Sequence, residues 1–396
     1  MTRETDRPLH VVYLCGEYPP APHGGIGTFT RMLARRLVAA GQRVTVLGIE
    51  AGREHDARED DEGVVVRRLA AARTRPRIPQ HALRLRRALR EIDAERPIDL
   101  IEGAENGHAL ALPGSSTRSG PGGDEPWSRV VRMHGGHRFF AEAEERDPAL
   151  LRSWLERRSL RRADRLCAVS HYVAERTRAL LDLGGRPIEV IPNPVDVERF
   201  RPSERPPVAG RVAFAGALVE KKGIRQLIQA APRVAREIPD FHLVICGRDT
   251  RDRRGSFRAL LEAETPEPLR ERVEFRGAVP HDEIATVLAS AEVLAYPSHM
   301  EAMPLAWLEG MALAKPVLAS STGPGPEVIE HEVSGLLCDP RDPTAIADGL
   351  IRLLRDAPLR QRLGEAARRR AVEHFSIEVL AERNLAYYRE IARAGH

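Results

Sequence analysis

Lysine is almost missing from this chain. Of its 396 residues 61 are basic, and only Lys221, Lys222 and Lys315 are lysine, leaving 58 arginines. So uneven a choice between two cations reflects GC-rich coding more than selection for charge. The 57 acidic residues bring the formal net charge to +4, which is weak support for a nucleic-acid partner. Aromatic residues, at 5%, offer few platforms on which bases could stack. Cysteine is scarce as well. Cys15, Cys167, Cys246 and Cys338 stand far apart, so no C-x-x-C pair or metal knuckle is present. Three of them sit in or beside apolar runs, and all four are expected to be small buried hydrophobes of a reducing compartment. The polar start M-T-R-E-T-D-R-P-L-H holds no apolar signal core, and no window approaches 18 uncharged apolar residues. A cytoplasmic protein is expected, at most resting on the inner face of a membrane.

What is present is ordinary for a globular protein: 42% hydrophobic and 30% charged residues over a length suited to two domains. The positive excess is confined to one half. Residues 1–200 carry 33 basic and 29 acidic groups, and residues 201–396 carry 28 of each. Within the first half Arg73 to Arg90 holds seven arginines and no acid, and Arg152 to Arg165 holds six against Glu156 and Asp164. Both stretches read as helices, with Leu83, Leu85 and Leu89 in one and Leu151, Trp154 and Leu155 in the other. Either is a solvated face or a surface for an anionic partner.

Along the chain, short apolar runs alternate with amphipathic segments. L-H-V-V-Y-L-C-G predicts a buried parallel strand. H-G-G-I-G is a glycine turn, and Thr28 to Ala40 predicts a helix, stopped by Gly41, with Phe29, Met32, Leu33 and Leu37 on one face. R-V-T-V-L-G, V-V-V-R-R-L, I-D-L-I-E-G, R-V-V-R-M-H-G and R-L-C-A-V-S predict further strands. Residues 113–126, rich in glycine, serine and proline, predict a surface loop. The pattern restarts after a proline-rich linker at 201–210 with R-V-A-F-A-G, then H-L-V-I-C-G, V-E-F-R-G, E-V-L-A-Y-P-S and K-P-V-L-A-S. Strands alternating with helices imply parallel sheets covered on both faces. The expected division is a domain at 1–200, a second at 201–375, and a C-terminal helix in 376–396, from Val379 to Ile391, crossing back to the first. Ligands of such sheets sit at the carboxyl ends of the strands, here in a cleft between two facing domains.

The densest chemistry lies in P-S-H-M-E-A-M-P-L-A-W-L-E-G-M-A-L-A-K-P, residues 297–316. Glu301 falls in the loop after a strand and Glu309 two turns into the next helix. A helix start attracts anions through its free N–H groups and dipole, and a neighbouring carboxylate accepts sugar or ribose hydroxyls. Lys222, followed by Gly223 after a buried strand, supplies a cation. Gly24 and Gly25 let backbone approach a phosphate where a side chain would clash. Taken alone, His134 reads as a structural histidine at a strand end, and the glycine pair as a plain turn.

These segments, with G-G-I-G-T-F-T, V-S-H-Y-V-A-E-R, V-I-P-N-P-V-D-V-E-R-F, G-A-L-V-E-K-K-G-I and G-P-G-P-E-V-I-E-H-E-V-S-G-L-L-C-D-P, follow one another nearly end to end. In that order the chain resembles family 4 retaining glycosyltransferases of the GT-B fold. The resemblance implies an α/β architecture of two Rossmann-like domains. It implies transfer of a hexose from a nucleotide-diphosphate sugar to a hydroxyl, with a UDP-sugar favoured and GDP-mannose next. It places Glu309 on the ribose and Glu301 near the donor sugar. Ala302, Met303, Pro304 and Leu305 fall beside the β-phosphate, Lys222 on the diphosphate, and Gly24 and Gly25 over the same phosphates. Arg276, Gly277 and Val279 fall beside the base, and His134 on the acceptor side.

Three positions depart from the family pattern: Ala217 stands for an arginine, Pro304 for a glycine without which one N–H is lost, and N-P-V-D for N-G-V-D. No D-x-D motif is present to hold a divalent cation, so neither metal nor cofactor is expected beyond the donor as co-substrate. The expected acceptor is a glycan, a lipid-linked glycan or a small molecule. Arg73–Arg90 suggests peripheral contact with an anionic membrane, and nucleic acid is not expected. The competing functions are another enzyme on this fold, such as a sugar-nucleotide epimerase or a phosphorylase, for whose pyridoxal phosphate only Lys315 remains unassigned, and an arginine-faced anion or nucleic-acid binder.

Overall fold

The computed structural model describes residues 7–21, 24–105, 127–144, 146–252 and 255–394. The loop expected at 113–126 and His23 lie outside them. The chain divides into a unit formed by Met1–Pro194 with Ile377–His396 and a second formed by Val195–Ser376. The division falls before the proline-rich stretch at 201–210. The backbone explains this: Val195 N–H donates to Phe375 O at 2.8 Å, and the Arg368 guanidinium donates to Val197 O at 2.8 Å and Phe200 O at 3.1 Å.

The first unit is built on β1 (His10–Leu14), β2 (Arg43–Glu50), β3 (Ala57–Asp61), β4 (Val64–Ala70), β5 (Leu100–Ala104), β6 (Ser128–Met133), β7 (Arg165–Ala168) and β8 (Ile188–Val190). They lie in the order β3-β4-β2-β1-β5-β6-β7-β8. All pairings are parallel except β3 with β4. The sequence patterns had not marked β3 or β8. β3, A-R-E-D-D, has no apolar run, and it forms as an edge strand because its acids meet arginines: Asp61 takes Arg31 at 3.1 Å and the Tyr18 hydroxyl at 2.7 Å.

The first helix runs Gly25–Ala39 rather than from Thr28. Its early start has a cause: with no capping side chain at Gly24, the Glu17 carboxylate reaches over and accepts the Gly27 N–H at 2.8 Å. Its buried Phe29, Leu33, Ala34 and Leu37 share a core with Leu380, Ala381, Tyr388 and Ile391 of the C-terminal helix, which runs Ile377–Ala394. That helix is pinned at depth. Tyr388 donates to Glu102 at 2.9 Å, and Arg132, fully buried, donates to Glu102 at 2.7 Å and to Asn384 at 2.5 Å. The C-terminal segment therefore belongs to the first unit's core.

In the second unit β9 (Arg211–Ala215), β10 (His242–Cys246), β13 (Val273–Gly277), β14 (Val293–Tyr296), β15 (Val317–Ser320) and β16 (Leu336–Cys338) form a sheet in the order β13-β10-β9-β14-β15-β16. Every pairing is parallel. A small hairpin of β11 (Arg251–Asp252) and β12 (Gly255–Ser256) stands apart. Central strands β14 and β15 are buried throughout, as their unbroken apolar runs require.

The two arginine-rich stretches are helices, Arg77–Glu95 and Leu150–Arg162. In the second, the apolar spacing does not mark a core face. Leu155 is buried, but Leu151 is 58% and Trp154 52% exposed, beside Leu150 at 88%. All four cysteines are buried and free. Among the described residues no helix is long and apolar enough to cross a membrane.

Candidate active site

In the second unit the strand order reverses between β9 and β14, the crevice where parallel sheets take their ligands. Of the sequence-predicted donor residues in this unit, Lys222 follows β9, Arg276 and Gly277 end β13 with Val279 just beyond, and Glu301 to Pro304 lie between β14 and the helix that bears Leu305 and Glu309. Lys222 closes a short 3-10 turn, Glu220–Lys222, after β9. Glu301 follows β14. Residues separated by most of the domain in sequence meet here: Lys222 Nζ lies 2.5 Å from Glu301 Oε1. Glu301 is 9% exposed, so the pair is largely withdrawn from solvent.

The meeting is fixed by backbone. His299 N–H donates to Lys221 O at 2.8 Å. Gly223 adopts φ +67°, and a Cβ placed there would fall 1.7 Å from Pro297 O. Only glycine allows the two loops this close.

Behind Glu301 the helix Leu305–Ala312 begins at Pro304, which is extended and has no N–H. Ala302, Met303 and Pro304 are buried and Leu305 partly so. Glu309, one turn in and partly buried, has its carboxyl pushed up to about 7 by desolvation, against the pull of the Arg199 charge. Tyr296, at the end of β14, feels the Glu309 charge, and its buried hydroxyl has no hydrogen-bond partner among the described residues. Sequence reasoning did not single out Arg199 or Tyr296. Arg199 was legible only as part of V-I-P-N-P-V-D-V-E-R-F.

Arg276 turns back to pair with Glu274 at 2.8 Å. Gly277, at φ +72°, gives its carbonyl to Gly247 N–H at 2.7 Å, so the Arg276–Val279 loop is tied to the end of β10.

The register also speaks to the arginine missing at Ala217. Ala215 pairs with Cys246, and Leu218 bridges to Asp249. Carried through at the same offset, this register sets Ala217 opposite Arg248, whose carbonyl takes the Leu218 N–H at 3.0 Å, and residues opposite in a parallel ladder point to the same face. Arg248 is exposed at the carboxyl end of β10, next to the position the missing side chain would occupy.

In the first unit Gly24 and Gly25 are exposed at the start of their helix, where Glu17 already takes one N–H. His134 follows β6 directly. Its ring meets Phe29 edge-on at 5.1 Å, and burial, with the Arg132 charge adding, lowers its pKa to about 3. It is a neutral imidazole at physiological pH. Lys315 precedes β15, at the amino end of that strand, and burial lowers its pKa to about 8. That is the end of the sheet away from Lys222 and Glu301, which does not suit a lysine holding a cofactor among them. No group of three or more metal-ligating side chains occurs among the described residues.

Two Rossmann-like sheets, parallel but for the β3–β4 pair, the second carrying a cation and two glutamates at its switch point, make up a GT-B fold. Residues 23–199 match the sequence model of Glycosyltransferase Family 4, and residues 197–370 match that of Glycosyl transferases group 1. The chain belongs to glycosyltransferase family 4. It is 26% identical to the glycogen synthase of Mycobacterium tuberculosis over 96% of this chain and 94% of that one. Among solved structures, sucrose-phosphate synthase from Thermosynechococcus elongatus superposes with a TM-score of 0.82 at 22% identity, covering 98% of this chain and all of that one. HepE of Anabaena, solved in complex with UDP-glucose, gives a TM-score of 0.72 at 16% identity, covering 96% of this chain and 99% of that one.

Proposed function

We propose that the chain is a retaining, metal-independent hexosyltransferase that takes a UDP-sugar, or failing that GDP-mannose, and glycosylates a hydroxyl of a glycan, lipid-linked or small-molecule acceptor. The observation that carries this reading is the Lys222–Glu301 pair, set beside the helix that bears Glu309 at the β9/β14 switch point. HepE, whose structure holds UDP-glucose, supports the choice of donor by its fold alone.

In this reading Glu309 accepts the ribose hydroxyls and the Arg276–Val279 loop lies along the base. The diphosphate meets Lys222 and the start of the helix Leu305–Ala312. Charge builds on the departing phosphate as the bond to the anomeric carbon breaks, so these groups lower the barrier. Lys222 is released to the phosphates as Glu301 turns to the donor sugar. His134 is too weakly basic to take a proton from an alcohol near neutral pH and acts as a neutral hydrogen-bond partner. The acceptor oxygen bonds to the anomeric carbon on the face the phosphate leaves. The acceptor proton passes to the departing phosphate oxygen, and the configuration is retained.

Thermal unfolding with UDP-, GDP- and ADP-sugars tests the donor. A true donor at a hundred times its Kd adds about 2.7 kcal/mol of stability, and no shift with any of the three would remove the reading. Turnover is expected to survive EDTA. Complete loss, restored by magnesium or manganese, would count against metal independence.

The Glu309 carboxyl sets a pH dependence. Ribose hydroxyls donate to its ionised form, so binding favours loss of a proton from a group that titrates at about 7 in the free protein. Affinity for a nucleotide-sugar, whose own phosphates do not titrate in this range, is expected to rise about tenfold per pH unit below 7 and to level off above it. Calorimetry in buffers of different ionisation heat would show the proton released. Equal affinity at about pH 5.5 and 8 would exclude Glu309 from the ribose.

Arg248, opposite Ala217, is proposed as the second phosphate cation. Arg248→Ala should weaken the nucleoside diphosphate about tenfold and the nucleoside monophosphate hardly at all, the scale of one partly screened charged hydrogen bond. Equal losses for both would place Arg248 off the phosphates.

A membrane-bound acceptor is the favoured source of the acceptor hydroxyl. Arg84 is held by Ala70 O and Asp56, and Arg87 pairs with Glu91, so Arg73–Arg90 is partly neutralised internally. The exposed Leu150, Leu151 and Trp154 carry the stronger case, with Arg157 and Arg161 further along the same helix sharing the single acid Asp182 at 3.8 and 3.9 Å. Sedimentation with anionic vesicles should pellet the protein, and Leu150→Ser with Trp154→Ser should release it.

A further inference from the structure

Two buried carboxylates in the first unit, Glu105 and Glu156, form no ion pair among the described residues. Glu105 follows β5 at the switch point between β1 and β5, and it is 1% exposed. Glu156, on the helix Leu150–Arg162, is fully buried. Among the described residues, each has one carboxylate oxygen, Oε1, without a hydrogen-bond partner. In a chain so rich in arginine, two fully buried acids without an ion pair are notable.

Both glutamates close on the same turn. His134, Gly135 and Gly136 lead from β6 into the helix His137–Ala143. A Cβ on Gly136 would lie 1.7 Å from Glu156 Oε1 and 3.5 Å from Glu105 Cβ. Glu156 thus lies against the bare α-carbon of Gly136, with Glu105 on the flank. The other oxygen of Glu156 accepts the Arg138 N–H at 3.1 Å.

We propose that Glu105 and Glu156 are positioning residues for the His134–Gly136 turn, acting as a carboxyl pair that holds a single proton, with Glu105 protonated and Glu156 ionised. The proposal rests on the reading of His134 as an acceptor-side group.

Two like charges buried together without an ion-pair partner are costly, and one proton removes the conflict. It also places a hydroxyl donor on the flank of Gly136, the same glycine that Glu156 Oε1 lies against. Glu156 is the ionised member because it already holds the Arg138 N–H and lies near the Arg138 charge. Glu105 is the protonated one: burial pushes its pKa up to about 8, the Glu156 charge adds to this, and its own, His134 and Gly135 backbone N–H groups pull the other way. The other charged and titratable groups here are Arg132 from β6, His134 just after it, and His137 and Arg138 from the following helix. Arg132 is taken by Glu102, Asn384 and Tyr388. The His137 ring accepts the Ala149 N–H. Neither is left to neutralise the pair.

Above about pH 8 Glu105 ionises, two charges face each other beside Gly136, and the turn that carries His134 loosens. The chemistry is unchanged and the geometry is lost.

The test is a pH profile joined to a direct view of the proton. The wild-type kcat should fall about tenfold per pH unit above roughly pH 8. Glu105→Gln, which keeps a donor and an acceptor but cannot ionise, should stay within about twofold of wild type at pH 7 and lack this alkaline limb, with donor KM unchanged. Glu105→Ala should lower kcat across the range. An infrared difference spectrum of wild type against Glu105→Gln at pH 7 should show the carbonyl stretch of a protonated carboxylic acid. An alkaline limb that persists in Glu105→Gln, or the lack of that band, overturns the proposal. If His134→Ala leaves acceptor KM and kcat unchanged, the acceptor-side reading fails instead, and the infrared band distinguishes the two failures.

Discussion

Lys222→Ala is expected to lower turnover by a factor on the order of 10²–10³ while leaving affinity for a nucleoside monophosphate nearly intact. The factor is that measured when one preorganised donor to a developing negative charge is removed. The selectivity follows from position. Lys222 stands on the turn after β9 and meets Glu301, whereas the groups assigned to ribose and base, Glu309 and Arg276–Val279, belong to the helix after β14 and to the end of β13. Removing the lysine also strands the largely buried Glu301 carboxylate. That cost falls on stability and would confuse the result, so Lys222→Ala is best compared with Lys222→Ala combined with Glu301→Gln. The double variant relieves the stranded charge but restores no cation to the phosphates. Its melting temperature should recover and its turnover should not. A Lys222→Ala enzyme with undiminished kcat would move the phosphate cation elsewhere, with Lys221 and Arg248 the first places to look.

The sheets were legible because their strands are apolar runs bounded by glycine and charge, and burial on both faces leaves few other readings for L-H-V-V-Y-L or V-L-A-Y-P-S. β3 was not legible. Its stability comes from Arg31 and Arg35 on a helix, partners that no local window contains. The same limit applies to the site. The order of motifs pointed to Glu301, Glu309 and Lys222, and the fold brings Lys222 and Glu301 together. The backbone strap from His299 to Lys221, the Arg199 charge near Glu309 and the pairing of Ala217 with Arg248 are products of register and tertiary packing. The Leu151–Trp154–Leu155 spacing misled for the opposite reason. Helical periodicity shows that a face is apolar, and it does not show what covers that face.

Gly223 offers a sharper trial of how sequence, backbone and activity connect, because a second glycine serves as its control. Gly223 and Gly277 have nearly the same conformation, at φ +67° and +72°. Their surroundings differ: a Cβ at Gly277 meets nothing within 4 Å, while one at Gly223 falls 1.7 Å from Pro297 O. Gly277→Ala should therefore cost only the left-handed strain, about 1–2 kcal/mol. Gly223→Ala bears that strain and must also push the loop after β14 away, adding the 1–3 kcal/mol typical of overpacking, for a total of about 2–5 kcal/mol. The movement separates the Lys222 turn from the Glu301 loop, the contact on which the donor site depends. Even where Gly223→Ala is folded at low temperature, thermal stabilisation by a donor sugar-nucleotide is expected to vanish, while Gly277→Ala retains most of it. Calorimetric unfolding with and without donor measures both quantities in one experiment. If the two variants lose equal stability and bind donor equally, the close approach of Gly223 to Pro297 is not what holds the site together.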